Sequence, residues 1–145
     1  MRNITFRGKC LDNEAWMYGD LIENQGRYFI YHASSENTIE DNEDGRIVVA
    51  AVEVDPATVG QYTGLKDKKL TMIFEGDILL LSDGKSHSED VVVEHGLYGW
   101  TFYNPQTATF YSDGSHTYLA VEHCRFMFGT GVVIGNIHDN PDLLK

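Results

Sequence analysis

Positive charge is scarce in the second half of this 145-residue chain: from residue 70 to residue 144 only Lys85 and Arg125 are basic, against ten acids. Nucleic-acid binding depends on lysine and arginine neutralising phosphates, and anionic membranes draw on the same charges, so neither partner is expected. Two cysteines, Cys10 and Cys124, are too few for a disulfide framework or a zinc knuckle, and in a reducing compartment they stay thiols. No apolar run approaches the roughly 18 residues that cross a bilayer as a helix; residues 78–81 make only four. The opening MRNITFRGKC carries no apolar segment of the secretory type. These absences lead to the expectation of a cytoplasmic globular protein. A composition of 42% hydrophobic and 23% charged residues excludes wholesale disorder.

What the chain has in quantity is acid and β-forming residues. Acids outnumber bases 22 to 11, for a formal net charge of −11. Such a charge favours solubility and offers a surface to a basic partner. Val, Ile, Phe, Tyr, Trp and Thr together supply 47 of 145 residues, and these suit a pleated surface. The hydrophobic period is two. Strands are expected over 15–23 (broken by Gly19), 27–32, 47–54, 77–82, 90–95, 98–104, 107–112, 117–125 and 132–138. The joints hold turn residues such as Asn24-Gln25-Gly26, Asp83-Gly84, Asn104-Pro105 and Asp113-Gly114. Helix is confined to single turns at Asp55-Pro56 and Asn140-Pro141, each a capping residue followed by proline at the first helical position. The expected class is all-β, with an N-terminal β unit over 1–69 and a small β-barrel over 70–145. Residues 33–45 carry five acids and one large apolar residue, Ile39, and are expected to be mobile because they cannot offset their ordering entropy.

Chemical motifs are weak. Asp83-Gly84-Lys85-Ser86 imitates the end of a phosphate loop, but Leu79 stands where the first glycine is required and no helix follows. Glu40, Asn42, Asp44 and Gly45 trace part of a calcium loop, yet Ala51 occupies the position of the bidentate acid. The six histidines lack metal-ligand spacing, and His123 and Cys124 would point to opposite faces of a strand. No nucleophile elbow is present. Tyr98, Trp100 and Phe102, spaced by two, share one strand face and suit a core or a cross-strand ladder. No catalytic residue, metal or cofactor is expected.

The stretch DPATVGQYTGLKDK at 55–68, followed by IFEGDI at 73–78, is distinctive. With FRGK at 6–9, Trp16, Tyr18, Gly19 and Asp20 near the start and VIGNIHDNPDLL at 133–144, it closely resembles the YopX family of phage and prophage proteins over essentially the whole chain. One departure is Lys69-Leu70-Thr71, where members of that family often carry Asn-Gly. The resemblance implies a mostly β protein of mobile-element origin with a C-terminal SH3-like barrel, and it carries over no catalytic residue. Read physically, Gly60 and Gly64 permit a sharply folded connection that Tyr62 and Leu65 anchor, and Asp67 can close a turn over Lys68 and Lys69. A ligand or partner groove in this region would be lined by Gln61, Tyr62, Thr63 and Asp67, with Glu75 and Asp77 at the barrel mouth. The expected function is that of a non-enzymatic accessory protein that binds another protein of host or phage. Homo-oligomerisation is a second expectation, because strand edges and exposed aromatics favour pairing. The alternatives are a small-ligand protein or enzyme using that groove, and an acidic mimic of nucleic acid.

Overall fold

The structure is a computed structural model that describes residues 4–32, 40–41, 47–48, 51–82, 88–96, 99–106, 109–110 and 131–145. Among these residues the chain is all-β, with thirteen strands and two short 3-10 turns. It divides into two compact units, Met1–Tyr62 and Thr63–Lys145. The sequence pattern sets the division at the lysine-rich stretch ending at Lys69; the compact units divide earlier, inside a strand.

The first unit contains β1 (Phe6–Lys9), β2 (Trp16–Asn24), β3 (Arg27–Tyr31), β4 (Glu40–Asp41), β5 (Ile47–Val48), β6 (Val52–Val54) and the start of β7 (Gly60–Lys66). Strands β2 and β3 form the expected hairpin, with Asn24 opposite Arg27. Its two-residue loop places Gln25 at φ 54° and Gly26 at φ 77°, the double positive φ whose twist matches a hairpin. Contrary to expectation, β2 runs unbroken through Gly19, which pairs with Phe6. A Cβ at Gly19 would lie 1.9 Å from the Tyr31 carbonyl oxygen, so this glycine admits a neighbouring backbone and does not end the strand.

Strand β1 is shared on both edges. One edge pairs with β2; the other sets Phe6 and Arg7 opposite Gln61 and Gly60 of β7. Beyond that, Cys10 bridges Val54, Leu11 N donates to Glu53 O (3.2 Å), and Asp55 N donates to Lys9 O (2.8 Å). The sheet thus bends until β1 and β6 meet, around a buried core of Cys10, Ile30 and Val54. Gly8 leaves the room that Val54 fills, since a Cβ there would approach Val54 Cγ2 to 2.9 Å. Burying a side chain such as Ile30 completely contributes about 1.5–3 kcal/mol.

The turn Pro56–Thr58 forms as its cap pattern predicts: the Asp55 carboxylate accepts from Ala57 N at 2.9 Å. The Thr58 hydroxyl donates to Asp55 O (2.7 Å) and accepts from Lys9 N (2.8 Å), which docks the turn on β1. The expected strand over 47–54 is two pieces. β5 pairs with β4, β6 pairs with β3, and Ala51 belongs to neither. One apolar run serves two partners, and Val52 and Glu53 are only half-buried, so a single strand buried on both faces does not form. Of the segment expected to be mobile, Glu40–Asp41 make β4; residues 33–39 and 42–45 lie outside the described residues.

The second unit holds the rest of β7, then β8 (Met72–Phe74), β9 (Asp77–Ser82), β10 (Ser88–Gly96), β11 (Gly99–Asn104), β12 (Thr109–Phe110) and β13 (Val132–Asn136). β8 is bonded to β7, and the other five strands form a sheet in the order β12-β11-β10-β9-β13. Period two builds the core: Leu79 and Leu81, Val91 and Val93, and Phe102 are buried with Ile73, while Leu65, Trp100 and Val133 pack against them. Trp100 and Phe102 therefore share the core face; Tyr98 lies outside the described residues, as does the strand expected over 117–125. Among the described residues this sheet is open, and its strands do not close the SH3-like barrel that the resemblance implies.

β13 stops at Asn136, where 132–138 is expected, because the Asn136 side chain turns the chain. Its Oδ1 accepts from His138 N (3.0 Å) and Asp139 N (2.9 Å). The turn Pro141–Leu144 follows, but Asn140 does not cap it; Asn140 Oδ1 accepts from Asn136 N at 3.2 Å.

Two substitutions test this account by urea denaturation at pH 7. Gly19→Ala is expected to destabilise the first unit by about 3 kcal/mol through overpacking against a backbone. Asp55→Ala is expected to cost about 1 kcal/mol, the usual value of a cap.

Candidate functional site

The connection from β7 to β8 is built from Lys66-Asp67-Lys68-Lys69-Leu70-Thr71. Aspartate favours turns because its short side chain reaches backbone amides just ahead of it. Asp67 does so twice: Oδ1 accepts from Lys69 N and from Thr71 N, each at 2.8 Å. Its other oxygen, Oδ2, accepts from Val133 N of β13 at 2.9 Å. The turn's own amides finish the pattern, with Asp67 N donating to Thr71 O, Lys68 N to Gly131 O and Leu70 N to Asp67 O. Every amide from Asp67 to Thr71 therefore has an acceptor.

The Asp67 side chain is 4% exposed. Burial pushes its carboxyl up, but the amides of Val133, Thr71 and Lys69, with the Thr71 hydroxyl, outweigh burial and hold it below the usual carboxylate range. The same carboxylate blocks the Val133 amide on the edge of β13, where a foreign strand would otherwise add.

The Glu75-Gly76 connection from β8 to β9 follows similar logic. Asp77 Oδ2 accepts from Phe74 N at 2.8 Å, with Asp77 only 2% exposed. Gly76 takes φ 81°, donates to Val93 O (2.8 Å) and accepts from Ile137 N (2.9 Å). This short turn is thereby bonded to β10 and to the residue after β13. Beside it lies Glu94 of β10, whose carboxyl is pushed up by burial and then by the negative charge of Glu75.

The six residues singled out from the sequence separate into two groups. Gln61, opposite Phe6, and Tyr62, whose amide donates to Thr5 O at 2.7 Å, are half-buried in the first unit. Thr63, Asp67, Glu75 and Asp77 belong to the second. Thr63 is buried; its hydroxyl donates to Ile73 O (2.8 Å) and accepts from Leu65 N (3.2 Å). Thr63, Asp67 and Asp77 thus bond the backbone of their own unit, and Glu75 is half-buried at its turn.

Two further residues escape sequence reasoning. Glu94 meets Glu75 only through β-pairing, so no local spacing marks it. Leu70 follows the polar stretch 66–69 with no local mark to distinguish it, and it is 75% exposed at φ 67°. Among the described residues no cluster of three or more His, Cys, Asp or Glu side chains could hold a metal ion.

The chain matches the family model described as YopX protein over residues 5–145. Among solved structures it is similar to the crystal structure of protein EF1440 from Enterococcus faecalis, with a TM-score of 0.57, 19% identity and full coverage of both chains. At that identity the likeness concerns the fold. No curated protein matches the chain.

The electrostatics make opposite predictions for the two acids. Asp67 is depressed in the folded state, so its stabilisation is fully present above the unfolded carboxylate pKa, about 3.9, and is lost as pH falls through the lower folded value. Asp67→Asn is expected to cost about 2–3 kcal/mol at pH 7 by losing one charge-assisted bond and opposing an amide with an amide. Its deficit relative to the parent should shrink on acidification, as denaturation at stepped pH will read. Glu94 is raised in the folded state, so its ionised form opposes folding as pH rises past the unfolded glutamate value. Glu94→Gln is expected to stabilise the protein at pH 7 and to have little effect at pH 3.5.

Proposed function

This chain belongs to the YopX family, a phage-type family, and from that premise we propose that it is a phage or prophage accessory protein that acts by binding another protein in the cytoplasm of the bacterial host. The observation that supports this reading is the use made of the most distinctive polar residues. Thr63, Asp67 and Asp77 are buried and bonded to backbone groups of their own unit. A small-ligand or catalytic pocket needs polar groups that converge on a shared space with bonding capacity to offer. Here that capacity goes to shaping two rigid connections, which favours a scaffold that presents outward-facing side chains to a macromolecule. Self-association of the chain is part of the same proposal.

The test is capture from host lysate with the tagged full-length chain, before and after prophage induction, with retained proteins identified by mass spectrometry. One dominant protein displaced by the untagged chain is the expected result. Retention of nothing that the untagged chain displaces would overturn the reading. Light scattering of the eluted protein gives its oligomeric state at micromolar concentration.

A further inference from the structure

We propose that the turn over residues 66–70 is a docking knuckle for an acidic protein segment carrying apolar side chains, with Leu70 as the anchor and Lys66, Lys68 and Lys69 as its charged rim. This names the surface used in the protein-binding role proposed above and rests on that role.

Three independent observations converge on the turn. The first is Leu70 itself. It holds a left-handed φ of 67°, which a residue with a Cβ adopts at a cost, and it leaves a leucine side chain 75% exposed to water. The left-handed φ helps close the turn but calls for no leucine side chain, and the exposed side chain adds nothing to the core, so neither accounts for leucine at this position.

The second is rigidity. The amides of residues 67–71 are all bonded, three of them to acceptors on the buried Asp67: Lys69 and Thr71 to its carboxylate, and Leu70 to its carbonyl. The backbone of such a turn is already ordered, so a partner does not have to order it on binding.

The third is charge. Lys66, Lys68 and Lys69 are exposed and are three of only 11 basic residues in a chain of net charge −11. Among the described residues none of the ion pairs uses these lysines.

Charge complementarity selects an acidic occupant, and the leucine selects one with apolar side chains to receive it. The remainder of this acidic chain repels such a partner, which confines the contact to the knuckle, fixes its orientation and makes it sensitive to salt. A nucleic acid fits less well, because the turn offers no aromatic ring for stacking. An anionic membrane fits less well because three lysines oppose a net charge of −11.

The experiment is fluorescence anisotropy of the full-length chain with a fluorescein-labelled 20-residue peptide of alternating glutamate and leucine blocks. An all-glutamate peptide of equal length and phosphatidylglycerol vesicles provide the comparisons. The expected result is that the Glu/Leu peptide binds and that affinity falls about tenfold in Leu70→Gly and in the double variant Lys68→Glu/Lys69→Glu. It should fall also when salt is raised from about 50 to about 300 mM.

Glycine relaxes the left-handed φ, so Leu70→Gly is expected to keep or raise the melting temperature, and its loss of binding is then not a loss of folding. Equal binding of the all-glutamate peptide, unchanged binding by Leu70→Gly, binding to vesicles but not to peptide, or no binding at all would each overturn the knuckle. The lysate capture separates this proposal from the one beneath it. A partner retained equally by Leu70→Gly overturns the knuckle alone, whereas an empty capture by the parent chain counts against the protein-binding role itself.

Discussion

A single buried carboxylate organises the second unit. Asp67 bonds amides at Lys69 and Thr71 in its own turn and at Val133, 66 residues further along the chain. A buried carboxylate is tolerable only when its lone pairs are met by donors, and here the donors are backbone groups that would otherwise need partners themselves. The arrangement closes the β7–β8 connection, joins it to β13 and covers an amide on the edge of that strand. It also decides what faces outward. With its backbone bonded inward, the turn exposes Lys68, Lys69 and Leu70.

The same device recurs along the chain with different residues. Asp55 and Thr58 fasten a 3-10 turn to β1, Asp77 closes the turn before β9, and Asn136 with Asn140 ends β13. Asp55, Asp77, Asn136 and Asn140 each bond an amide a few residues away, and Thr58 adds a distant contact to Lys9. Glycine is used at the complementary places, where a side chain would collide: Gly8 against Val54, Gly19 against Tyr31, and Gly135, where a Cβ would lie 2.5 Å from Asn140 Oδ1. In this chain these polar residues and glycines shape turns and close approaches between strands, while the core of the second unit is packed at period two.

Charge follows a related division. Among the described residues of the first unit the cations turn onto aromatic rings or an acid: Arg7 lies 4.7 Å and Lys9 5.5 Å from the Trp16 ring centre, and Arg27 pairs with Glu53 while covering Phe29. Those contacts use the amphipathic character of long basic side chains in packing. The lysines of the 66–70 turn make no such contact with the described rings, so their charge is available to a partner in a chain that is otherwise acidic.

Local patterning determined much of this protein from sequence alone. Short β-forming runs bounded by turn residues marked β3, β9, β10 and β11 within a residue or two, Gln25-Gly26 marked the hairpin, and Asp55-Pro56 marked a capped turn, because each depends on neighbours in the chain. The importance of Asp67 was legible as turn chemistry, but its bond to Val133 was not. Tertiary structure alone decided that Gly19 continues a strand, that the 47–54 run splits between two partners, that Asn140 bonds Asn136 and leaves its own turn uncapped, and that Leu70 faces water. For Gly19 and for the 47–54 run the deciding partner is a distant backbone brought near by strand pairing, and no local pattern encodes which strand that will be.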